Sequence, residues 1–171
     1  FNSIFVSVVS TFLSVVVGAL AAYPFAKMQF CGREFFWRLI MMTLLFSGGA
    51  TSLATYIIEA KLHLVNTYWV MILPSISSTL YMFLMRQFML QIPNSLLEAA
   101  HIDGAGELRI FWKIVMPNVK PAWMTVAVLT FNGLWNSGSG AAVFNEDLKL
   151  LPTALNQITA SSGTARKGVA A

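Results

Sequence analysis

The sequence predicts an all-α membrane protein, and three observations carry that prediction. Of 171 residues, 57% are hydrophobic and 11% charged, with a mean hydropathy of +0.68. A water-soluble domain carries about 25% charged residues, so too few ionic groups are present to cover a water-facing surface. Four stretches, 1–26, 39–58, 62–85 and 121–145, contain no Asp, Glu, Lys or Arg. Each is as long as the roughly 20 residues a helix needs to cross hydrocarbon. Helices are the default there because every backbone polar group must be paired inside lipid. The expectation is a multi-span helical bundle with four spans in a single domain, 1–171. It reads as part of a longer protein, since it opens at Phe1 and ends as another apolar run begins at Gly168.

Taken in order, the first run is the cleanest. Gly18 and Ala22 give it a small-residue face for close helix packing. The second is apolar from Leu39 to Phe46 and is expected to loosen at Ser47-Gly48-Gly49-Ala50. The third carries Pro74, which removes a ladder hydrogen bond and predicts a kink. The fourth starts at Pro121 and turns polar at Asn132-Gly133 and Asn136-Ser137-Gly138, so its far end is expected to avoid lipid. After it, 145–164 reads as an outer loop with a short interfacial helix following Pro152.

Charge placement predicts orientation. Lys27, Arg33 and Arg38 lie between the first two runs, and Arg86, Arg109, Lys113 and Lys120 between the last two. The opposite connections hold only Lys61 and Lys149 before Arg166-Lys167. Positive residues favour the cytoplasmic side, which places 27–38 and 86–120 inside and residue 1 outside. Arg166-Lys167 is the discordant pair.

The segment 94–117 is a polar, glycine-punctuated insert between apolar runs. Ser95 followed by Glu98 predicts a capping box that opens a helix. Gly104 and Gly106 are expected to stop it. A second helix is expected from Glu107, with Leu108, Phe111, Trp112 and Val115 on one apolar face and Arg109 and Lys113 on the other, ended by Pro117. Small residues Ala99, Ala100 and Ala105 at the turn would let a partner approach closely. On these residues alone the insert is either a docking element or an amphipathic hairpin on the bilayer surface.

The spacing Glu98-Ala99-Ala100, then Gly104, then Ile114 and Pro117 resembles the signature of permease subunits of binding-protein-dependent ABC importers. Met116 stands where leucine is usual. Asn2-Ser3, Ala21-Ala22-Tyr23, Asn66-Thr67-Tyr68, Arg86-Gln87-Phe88, Ile92-Pro93, Ile102-Asp103-Gly104-Ala105 and Trp135-Asn136 are similar to the carbohydrate branch, in particular the smaller maltose-type subunit. The resemblance implies a six-span permease in the bacterial inner membrane. It also implies a cytoplasmic ATPase subunit that binds ATP and Mg, a second and non-identical permease, and an extracytoplasmic solute-binding protein. The insert would be the coupling helix, docking through Glu98, Ala99, Ala100, Asp103, Gly104, Ala105, Ile114 and Pro117. Glu98 would pair with a basic ATPase residue.

Other chemistry is poorly supported. His63 and His101 lack metal-ligand neighbours at helical spacing, and no Gly-Lys-Ser/Thr phosphate loop occurs. No nucleic-acid partner is expected, because the scattered charges form no basic cluster. The chain is not expected to be an enzyme and needs no cofactor of its own. Arg86 reads as an interfacial anchor whose stem snorkels, and Tyr68, Trp69 and Trp135 as interfacial belt residues. Asn132 and Asn136 are the candidate pathway residues. Cys31 stands alone. The alternative class, an ion-coupled transporter or channel without an ATPase, would place ionisable groups within its spans, and these runs hold none beyond His63.

Overall fold

The computed structural model describes residues 1–45, 48–76, 78–137, 143, 148 and 150–169. Its first element, α1 (Asn2–Lys27), is the expected apolar helix. The arrangement of its faces identifies its solvent. Large side chains such as Ile4, Phe5, Val8 and Phe12 point outward, while Ser3, Ser7, Ser10, Ser14, Gly18, Ala19, Ala22 and Ala26 are buried. A helix in water hides its bulky residues; a helix in lipid packs through small ones.

The second run does not make one long helix. α2 (Arg33–Met42) starts within the loop predicted over 27–38 and gives way to a 3-10 turn, Thr43–Leu45. α3 (Gly48–Lys61) follows as a separate 14-residue helix, about 21 Å long at 1.5 Å per residue and short of the hydrocarbon thickness. Gly48 and Gly49 sit at its start, where weak helix formers interrupt most easily. Ser47, the first residue of the expected break, lies outside the described residues.

The third run is broken as Pro74 predicts. α4 (Trp69–Ile76) and α5 (Thr79–Leu90) meet at 41°. At the end of α4 the Ser14 hydroxyl of α1 donates to Ser75 O at 3.0 Å. Neighbouring hydroxyls satisfy broken helices inside membranes in this way. The insert follows as α6 (Asn94–Ile102), α7 (Glu107–Ile110), a π-turn Phe111–Val115 and α8 (Met116–Asn118). The chain then bends by 79° into α9 (Lys120–Asn136). The polar stretch after Asn136 lies mostly outside the described residues.

The outer loop expected over 145–164 is instead helical from Leu151 onward, as α10 (Leu151–Val169). Its first amide, Leu151 N–H, donates to the Ser3 hydroxyl at 2.7 Å. Pro152 at the second position leaves one orphan donor fewer.

Among the described residues, α1 alone is a single helix long and apolar enough to cross a membrane. The α4–α5 pair, and 107–118 with α9, each pass the same test as a bent unit. Against the four spans expected, the described residues hold one single-helix candidate and two bent ones.

The principal core is continuous between bundle and insert. Ala22, Tyr23 and Ala26 of α1 pack with Met85 and Met89 of α5, Ala122 and Val126 of α9, and with Leu97, Ala100, Ile110, Phe111 and Val115 of the insert. The insert is rooted in the bundle rather than laid beside it. The N-terminal end of α1 is held separately: Val6 packs with Ile72 and Leu150, and Tyr68 donates to Asn2 Oδ1 at 3.1 Å. Thus 27–38 and the insert share one end of α1, while 62–68 and residue 150 share the other.

Candidate functional site

The first arm of the insert begins two residues earlier than the predicted capping box. Pro93, extended at φ −61° and ψ 136°, is the cap residue, and Asn94 already opens α6. Ser95 therefore lies inside the helix, and no side chain caps it. The carboxylate of Glu98 is left free of the predicted reciprocal bond.

The end of α6 follows the glycine rule closely. Gly104 sits at φ +76°, where an L side chain is strained. Ala105 N–H returns to Ala100 O and Gly104 N–H to His101 O, both at 3.0 Å. This paired closure satisfies the last carbonyls and stops the helix in a tight turn. Gly106 plays another part, as the extended residue before α7, with its carbonyl accepting Arg109 and Ile110 amides.

Around that turn the docking candidates divide. Glu98, Ala99, Asp103, Gly104 and Pro117 are exposed; Ala105 and Ile114 are half-buried; Ala100 is buried against the bundle. Ala100 therefore faces inward rather than toward a partner. Ile102, which the sequence reading did not single out, is 86% exposed beside Asp103.

The second arm departs from the predicted face. Ile110, Phe111 and Val115 are buried, whereas Leu108 is 70% and Trp112 49% exposed. The inward stripe is centred on Ile110, Phe111 and Val115, which leaves Leu108, in the turn before the π-turn, and Trp112, within it, outside that stripe. Pro117 does not end the arm, which continues to Asn118. A proline ring crowds the carbonyl four residues back, here Lys113 inside the wider π-turn, where the ring is accommodated.

Polar links tie the insert to α1. Tyr23 donates its hydroxyl to Glu107 Oε2 at 2.7 Å, and its ring meets Phe111 edge-on at 5.5 Å. His101 Nε2 lies 3.4 Å from Glu107 Oε1. Lys27 donates to Ile92 O and to Asn94 Oδ1. A cleft of about 520 Å³ opens between these groups, with Tyr23, Lys27, Asn94, Glu98, His101 and Glu107 on its walls. Tyr23 and Glu107 stand far apart in sequence, and no local spacing pairs them.

Arg86 is not a snorkelling anchor. It is buried, its Nε donates to Phe25 O at 3.1 Å, and its guanidinium lies 4.1 Å from the centre of the Trp37 ring. It thereby joins α1, α2 and α5. Tyr68 is half-buried in the cluster around Val6. The pathway candidates Asn132 and Asn136 are exposed on α9, and Asn136 donates to the Asn132 side-chain oxygen at 2.6 Å. Trp135 stacks on Phe131 at 5.7 Å. Among the described residues, no cluster of His, Cys, Asp or Glu could hold a metal ion.

Residues 3–165 match the family described as the inner membrane component of binding-protein-dependent transport systems. The chain belongs to that family. Protein LplC of Bacillus subtilis is 34% identical over 94% of this chain and 57% of its own length. The polygalacturonan/rhamnogalacturonan transport system permease protein YtcP of the same organism is 35% identical over 85% of this chain and 50% of its own. A crystal structure of a bacterial ABC transporter involved in import of the acidic polysaccharide alginate matches with TM-score 0.80 and 27% identity. The match covers 91% of this chain and 55% of that one. The chain thus spans about half the length of the curated relatives it matches. The family membership and helical fold expected from the sequence hold.

Proposed function

We propose that this chain is part of a permease subunit of an ATP-driven importer for sugars or oligosaccharides in the bacterial inner membrane. It forms half of the pathway beside a second, non-identical permease. Cargo comes from an extracytoplasmic solute-binding protein. ATP and Mg bind to a separate cytoplasmic ATPase subunit, which performs the hydrolysis. The insert 94–117 docks on that ATPase: Glu98 and Asp103 supply charge at the tip, Ala99 and Gly104 permit close approach, and Ala105, Ile114 and Pro117 set the second arm. Ala100 supports the tip from the bundle side. Asn132 and Asn136 contribute to the pathway.

The observation that carries this reading is the two-sided character of the insert. Its inner face shares the bundle's core, while its glycine turn holds Glu98, Asp103 and Ile102 out together. A hairpin merely resting on lipid would turn its apolar residues to the bilayer and have no need of roots in the bundle. The saccharide assignment rests on the names of the relatives.

The test is purification of the full-length protein from its native host. An ATPase subunit should come with it, and Glu98→Ala should weaken that association at least tenfold, roughly 1.4 kcal/mol, without lowering the thermal midpoint. A full-length protein that copurifies with no ATPase, or a Glu98→Ala variant that retains it at wild-type level, contradicts the reading.

A further inference from the structure

One carboxylate connects α1 to both arms of the insert. Glu107 opens the second arm immediately after Gly106 and is gripped on both sides. Its Oε2 takes the Tyr23 hydroxyl at 2.7 Å, and its Oε1 lies 3.4 Å from Nε2 of His101, in the last turn of the first arm. Tyr23 is 6% exposed and is clamped edge-on against the fully buried Phe111. Lys27, one turn further along α1, holds the start of the first arm through Ile92 O and Asn94 Oδ1. Among the described residues, Tyr23 and Lys27 are the α1 side chains with polar links to the insert.

We propose that the Tyr23–Glu107–His101 bridge is the positioning device that makes the insert and α1 move as one rigid body. This rests on the reading that an ATPase grips the insert. Apolar packing in the shared core resists separation but tolerates small sliding, because dispersion contacts have little directionality. A hydroxyl-to-carboxylate bond is short, directional and charge-assisted. It fixes the register between the turn after Gly104 and α1, whose other half packs on α4. A displacement of the tip then reaches the pathway instead of being lost in a hinge at the insert's base. Glu98 and Glu107 both line the cleft beside α1, but of the two Glu107 is the one bonded to α1.

The test uses the full-length transporter with its copurifying ATPase in lipid nanodiscs. Spin labels go on two exposed positions, Phe12→Cys on α1 and Lys113→Cys on the second arm, in a Cys31→Ser background. The 12-to-113 distance distribution is measured without nucleotide and with ATP, Mg and vanadate. The original bridge should give one narrow distribution, the same in both states. Tyr23→Phe, which keeps the ring contact with Phe111, and Glu107→Ala should match it without nucleotide. With ATP and vanadate they should broaden or shift it, while the ATPase remains bound. Glu107→Gln, whose amide oxygen still accepts the hydroxyl, should behave as the original. The proposal is overturned if Tyr23→Phe and Glu107→Ala keep the narrow distribution in both states. It is also overturned if the unaltered bridge itself shifts, or if Glu107→Gln fails as Glu107→Ala does. Failure of the docking reading is seen separately, as absence of the ATPase before any label is read, and it removes this proposal with it.

Discussion

Replacing Phe111 and Leu108 by alanine, one at a time, separates the helical face that the apolar pattern predicts from the one the structure buries. Periodicity puts both on one buried stripe and assigns them similar costs. In the structure Phe111 is 1% exposed within the core shared by α1, α5, α9 and the insert, whereas Leu108 is 70% exposed. Emptying a buried phenylalanine site costs about 3–5 kcal/mol, of which roughly 0.5–1.5 belongs to the edge-on contact with Tyr23. Removing a side chain already in solvent changes stability by about 0.5 kcal/mol or less. At roughly 2–4 °C per kcal/mol for a chain of this size, Phe111→Ala lowers the thermal midpoint by on the order of 10 °C and Leu108→Ala by about 2 °C or less. Helical circular dichroism of the full-length protein in detergent, followed with temperature, reads both. Equal shifts would refute the inward placement of Phe111.

Three further outcomes are expected. Gly104→Ala should cost about 1–2 kcal/mol from its left-handed geometry alone, since an added Cβ there meets nothing within 4 Å; Gly104→Asn should cost less, and thermal midpoints of the two compare them. Arg86→Lys should not restore the midpoint lost in Arg86→Met, because the planar stack on Trp37 together with the Nε bond to Phe25 O requires a guanidinium. Ser14→Ala should destabilise by about 1 kcal/mol through loss of the bond to the Ser75 carbonyl and speed amide exchange around the α4–α5 break, read by hydrogen exchange, whereas Ser14→Thr should retain protection.

Much of the fold was legible because lipid imposes simple rules. The uncharged run 1–26 could only be a long helix, Pro74 announced the broken third run, and Gly104 announced the turn that ends α6. The two helical arms of the insert and the turn between them were legible because charge and glycine are conspicuous among apolar neighbours. Three features were hidden for physical reasons. The buried stripe Ser3, Ser7, Ser10 and Ser14 repeats at helical spacing, yet averaged hydropathy registers those serines only as slight polarity. The second arm's buried stripe is centred on Ile110, Phe111 and Val115, and the pattern of apolar residues alone did not fix that centre, so Leu108 and Trp112 were placed inward. The Tyr23–Glu107 bond and the Arg86 seat join distant residues, and only tertiary packing brings them together. The capping box failed because Pro93 had already fixed an extended entry two residues earlier.

Sidedness of the insert tip decides the central claim. In the full-length protein, Asp103→Cys is to be labelled with a membrane-impermeant maleimide in inverted vesicles and in right-side-out spheroplasts, with Cys31→Ser removing the exposed native thiol. Reaction in inverted vesicles alone, slowed when the ATPase is bound, is the predicted result; reaction in intact spheroplasts would contradict the account.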